Sequence, residues 1–97
     1  MKVVIKKAGR KGKKYEALVG GKTVAFGATG YEDYTTHKDP KRKERYIARH
    51  RKTEDWTRSG VDTAGFYAKH VLWSKPTVAA SVRDLNAKFS DVQFVLA

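Results

Sequence analysis

The chain has 97 residues, 21 of them Lys or Arg against 10 Asp or Glu, giving a net charge of +11, and it contains no cysteine. A chain of this length forms one domain around one modest core, burying only about 60–65% of its extended surface. The missing thiols exclude disulfides, zinc knuckles and thiol catalysis, and the positive balance points to polyanionic or acidic partners rather than to ordinary small-enzyme chemistry.

The apolar fraction of 40% and aromatic fraction of 11% suffice for a folded core. No apolar run approaches the length needed to cross a bilayer, and the opening MKVVIKKAGRKGKK lacks the apolar centre of a secretory signal. The protein is therefore expected to be neither secreted nor transmembrane.

Residues 1–30 predict a small antiparallel sheet. Val3, Val4 and Ile5 are β-branched, Gly9 to Gly12 supplies a turn, and Tyr15, Ala17 and Val19 alternate with Glu16 and Leu18. Gly20-Gly21 suits a two-residue hairpin, and Thr23 to Phe26 continues as a third strand until Gly27 and Gly30.

Asp39-Pro40 then signals a helix running to about Lys52, since Asp caps a first turn and Pro suits its first position. Its apolar stripe is thin, with Tyr46, Ile47 and His50 together. A second helix is expected from Asp62 or Thr63 to Trp73, with Ala64, Ala68, Val71 and Leu72 on one face and Phe66 and Trp73, seven apart, on a neighbouring one. Ser74 to Thr77 breaks it and starts a third, in which Val78, Val82, Leu85 and Phe89 share a face; this C-terminal third is where the core-building helix is placed. Val92, Phe94 and Leu96 alternate as a short terminal strand that rejoins the sheet. The chain thus reads as a single α+β domain over 1–97, of order βββααα(β), with a sheet part at 1–30, a helical part at 38–89 and the strand at 92–97.

Charge is concentrated in two blocks. Lys2 to Lys14 holds seven basic residues and no acidic one, and Lys38 to Lys52 holds eight with Glu44 the one acid inside the helix. Compensation at i,i+4 is almost absent, so the field of this helix asks for a partner. The expected polyanion-binding residues are Lys38, Lys41, Arg42, Lys43, Arg45, Arg49, Arg51 and Lys52, with Arg10, Lys11, Lys13 and Lys14 as a second contact.

The aromatics have two readings. Tyr31 and Tyr34 stand beside the basic helix as stacking platforms for bases or as surface anchors, whereas Trp56, Phe66 and Trp73 are favoured as core or interface residues. His37, His50 and His70, with Asp39, Glu44 or Asp62, match no metal-ligand spacing, and a helix so basic repels a divalent cation. His50 is expected to pack on the helix edge and the other two to lie at the surface. GATG at 27–30 and GVDTAG at 60–65 lack the pattern of a phosphate-binding loop; Gly60 suits a turn and Gly65 a close helix approach. No enzyme, metal, cofactor or small-molecule substrate is expected.

The segment from Gly30 to Phe89 carries HKDPxRKERYIxRH at His37–His50, then Trp56, Ser59-Gly60, TAGF at Thr63–Phe66, LWxKPT at Leu72–Thr77, and SxxDxNxxF at Ser81, Asp84, Asn86 and Phe89. In these motifs it resembles an uncharacterised family of short basic proteins encoded by large double-stranded DNA viruses of algae and protists. The resemblance implies a small non-enzymatic viral protein, found in the virion or in the host-cell cytoplasm or nucleus. Joined to the charge, it leads to the expectation of a virion structural protein, a minor capsid or cement component docking on capsid protein or packaged genome. The alternative is a DNA- or RNA-binding protein of replication or packaging, with double-stranded DNA the foremost nucleic-acid partner.

Overall fold

A computed structural model describes residues 1–97 and gives an α+β domain. Strands β1 (Lys2–Lys7), β2 (Lys13–Val19) and β3 (Lys22–Ala28) form an antiparallel meander, and β4 (Gln93–Leu96) joins β1 in parallel, so the order is β3-β2-β1-β4. Gly20 sits between the paired Val19 and Lys22 at φ 59°, a conformation cheap only for glycine, and this sets the hairpin register.

Alternation decides the faces. Val3, Ile5, Ala17, Val19, Val24, Phe26 and Phe94 all point to one side, where they are buried under the helices. The helical half is α1 (Tyr34–His37), α2 (Pro40–His50), a short 3-10 turn at Arg58–Gly60, α3 (Ala64–Tyr67) continuing as a π-helical segment over Ala68–Leu72, and α4 (Val78–Lys88). Phe66, Tyr67, Val71 and Leu72 meet Val82 and Leu85 of α4 over the sheet. The core is therefore shared between sheet, α3 and α4, rather than resting mainly on the C-terminal helix.

Three local expectations are corrected. The four-residue α1 is an addition, made by a capping box in which Asp33 accepts from the amide of Thr35 at 2.9 Å while Thr36 Oγ1 accepts from the amide of Asp33 at 2.9 Å. The basic helix begins behind its Asp39 cap as expected but ends at His50, two residues before Lys52. The second helix has the expected span, and Val71 and Leu72 of its expected face are buried, but Phe66, Tyr67 and His70 are buried beside them while Ala64 is exposed and Ala68 half-buried, the C-terminal part being a π turn.

Asn86 on α4 donates to the carbonyl of Phe94 at 2.9 Å and accepts from its amide at 2.8 Å, so one carboxamide acts as an extra strand for β4. Gly60 lies so near Asp55 that an added Cβ would stand 2.0 Å from its carbonyl oxygen, which makes this glycine a spatial requirement of the loop. Gly65 is the close approach expected of it, though to the Glu54 carboxylate rather than to another helix.

Candidate polyanion-binding site

Helix α2 stands off from the core and is held by one aromatic edge. Tyr46 is its buried residue, and its ring lies parallel to that of Trp73 at 4.3 Å with an interplanar angle of 3°. His50 stacks on the other side of Tyr46 at 4.3 Å, and His37 tilts against Trp73 at 5.2 Å. This row of rings, about one side chain wide, leaves most of the circumference of α2 to solvent. Burial holds the Tyr46 phenol well above its ordinary pKa, with Glu54 adding to the effect, so the ring enters as a neutral packing surface.

Beside that row is an open groove of about 630 Å³ between α2, the end of β3 and the start of α3. Phe26, Gly27, Tyr46, Ala64, Ala68, Leu72 and Trp73 give it an apolar lining. Gly27 has φ 76°, and an added Cβ would meet Leu72 Cδ1 at 2.7 Å, so β3 packs on Leu72 here too closely for a side chain. Arg42, Arg45 and Arg49, at i, i+3 and i+7 on α2, line one wall, with Lys13 and Lys14 on another part of the lining. The two basic blocks, far apart in sequence, thus converge on one concavity.

Not every expected cation is free to bind a partner. Lys14 is a structural residue: its ammonium is 2.7 Å from Asp33, whose side chain is 4% exposed, and it also donates to the carbonyl of Tyr31, which ties the 28–33 loop to β2. Lys43 donates to the carbonyl of Ser74 at 2.6 Å and lies 5.0 Å above the Tyr34 ring. Burial, with Lys75 and Lys88 nearby, lowers its pKa. Lys38 donates to the carbonyls of Thr35 at 2.8 Å and Pro76 at 3.2 Å. Arg42 pairs with Glu32 at 3.2 Å across exposed surface. Lys13, Arg45 and Arg49 at the groove, and Arg10, Lys11, Lys41, Arg51 and Lys52 outside it, have no acidic partner in the structure.

The aromatic expectations divide. Tyr31 is 74% exposed on the groove lip, while Tyr34 is taken up by Lys43 and His37. Phe66 is a core ring in contact with Tyr67, Phe89, Phe94 and His70. Trp73 anchors α2, and Trp56 is half-buried with Lys69 over its ring at 5.5 Å.

His50 packs on the helix edge as expected, but His70 is not a surface residue. It is 4% exposed, wedged between Phe66 and Phe89, and Nε2 is 2.9 Å from the carbonyl of Trp56. A carbonyl can only accept, so Nε2 carries the proton and Nδ1 is bare and buried. Burial drives its pKa down from 6.5 to about 4, against the raising effect of that bond. His37 is half-buried, accepting from the amide of Asp39 at Nδ1. No group of three His, Asp or Glu side chains comes together as a metal centre requires.

A protein-family model described as a family of unknown function (DUF5754) matches residues 3–50, taking in the three N-terminal strands, α1 and α2. It therefore spans the strands that carry Lys13 and the helix that carries Arg42, Arg45 and Arg49. No curated protein and no solved structure matches the chain. No helix is long and apolar enough to cross a membrane.

Proposed function

We propose that the protein binds nucleic acid through its phosphate backbone, along the α2 side of the groove. The observation that carries this is the convergence of Lys13 from the first basic block with Arg45 and Arg49 from the second, all without acidic partners. Unpaired cations spaced along one concave wall are what a phosphate chain neutralises, with release of its counterions. The resemblance to proteins of large double-stranded DNA viruses supports a setting in replication or packaging of a viral genome.

A second reading, a minor capsid or cement component docking on acidic capsid protein, is favoured by the opposite face of the sheet. There Val4, Leu18 and Val95 are half-buried and adjacent in register, and none belongs to the core beneath the helices. Such an apolar patch suits a protein neighbour rather than a phosphate chain.

Titration of labelled DNA between about 50 and 200 mM salt tests the proposal, with a scrambled peptide of equal charge as control. Affinity above the control at the upper salt is expected, and Arg42, Arg45 and Arg49 all changed to Gln should flatten the slope by about two to three units. A slope unchanged in that variant rejects this surface. Equal weakening of protein and control rejects nucleic-acid binding and leaves the capsid reading.

A further inference from the structure

From the groove itself we infer that the preferred ligand is single-stranded nucleic acid, with one or more unpaired bases lying in the groove and the phosphates on its cationic wall. This rests on the backbone-binding reading and adds to it the state of the strand. A duplex offers a protein its phosphates and base edges; its base faces are hidden in the stack. A concave apolar lining has nothing to receive from it. An unpaired base brings a flat apolar face and a charged backbone together, matching the groove's lining and its rim.

The charge pattern sets the orientation. Glu54 lies in the lining with its Oε2 buried 3.4 Å from His50 Nδ1. Buried there, the carboxylate offers a base no contact, but its negative charge repels a phosphate, so the phosphates face Arg45 and Arg49 and the base faces inward. Tyr31, 74% exposed on the lip, is the remaining platform for a base that extends beyond the groove. The loop that carries it is fixed by the Lys14–Asp33 pair at 2.7 Å, so the platform is present before a strand arrives.

The test compares a labelled oligonucleotide as a single strand and as a duplex of the same sequence at physiological salt. It uses wild type, Tyr31→Ala and Ala64→Leu. Both positions are exposed, so neither change removes core packing, and Ala64→Leu fills the groove without altering charge. Wild type should hold the single strand at least about tenfold more tightly, and each variant should lose roughly tenfold on the single strand with duplex affinity unchanged. Equal affinity for the two forms, or equal loss on both in the variants, overturns the groove assignment and leaves backbone binding standing. Binding of neither form above the charge-matched control removes the backbone reading as well.

Discussion

Tyr46 and Trp73 lie face to face at 4.3 Å, and this contact joins the basic helix to the core. Of the residues on α2, Tyr46 is the buried one, so the position of every arginine on the groove wall depends on this stack. A double-mutant cycle with Tyr46→Leu and Trp73→Leu should show each single change destabilising by about 2 kcal/mol, with a coupling of about 1 kcal/mol. Denaturant midpoints of the four proteins measure it. Strict additivity would mean that the rings merely share a neighbourhood.

His70 makes stability depend on pH. Its folded-state pKa of about 4 lies below the ordinary 6.5, so between these values the unfolded chain binds the proton and the folded one does not. Stability should be at its plateau above about pH 6.5 and fall by roughly 3 kcal/mol as the pH drops toward 4. His70→Gln, which can still donate to the Trp56 carbonyl, should be less stable at neutral pH yet lack this acid slope. An NMR titration showing His70 protonating near its ordinary value would falsify the assignment. Asp84 and Asp91 act in a lower window, because their depressed pKa values place their loss of stability below the usual carboxylate range.

Much of this architecture was legible in the residues. The alternation of Ala17 and Val19, the Gly20-Gly21 turn, the Asp39-Pro40 start and the Val82–Leu85 stripe each report a local preference that packing does not override. The buried face of the second helix was half legible: Val71 and Leu72 are buried as the pattern has them, whereas His70 joins them inside a π turn that changes the period on which the pattern depends. Asp33 to Thr36 carried a readable cap signal for α1 that went unread beside the stronger Asp39-Pro40. The sorting of cations was not legible at all: Lys14 finds Asp33 and Lys43 finds the Ser74 carbonyl only through the tertiary fold. Charge density located the basic helix, and folding decided which of its charges face the groove.

Glu32 is an acid at the groove lining, and it holds Arg42 at 3.2 Å. The pair is largely exposed, so breaking it should change stability by no more than about 1 kcal/mol. Its effect on a polyanion should be larger than its effect on the fold, because Glu32→Gln removes a repulsion and frees a guanidinium in one step. An increase in nucleic-acid affinity of about threefold is expected in the salt titration, with a steeper slope. Unchanged affinity would place the strand away from the Arg42 end of α2.

Asn86 supplies the last prediction. Strand β4 has only four residues and lies at the sheet edge, yet Phe94 within it is 3% exposed and packs on Phe66 and Tyr67. The Asn86 carboxamide satisfies both backbone groups of Phe94 on the side away from β1. Removing it strands a buried donor and acceptor together, which costs more than the two bonds contribute on balance. Asn86→Ala should therefore destabilise the domain by about 2 to 3 kcal/mol, and exchange of the Phe94 amide should accelerate more than that of the Ile5 amide in β1. Asn86→Asp keeps the acceptor and loses the donor, so it should fall between the two and recover partly as the pH is lowered and the carboxyl protonates. If Asn86→Ala leaves Phe94 exchange unchanged, β4 is held by its pairing with β1 and the carboxamide is incidental.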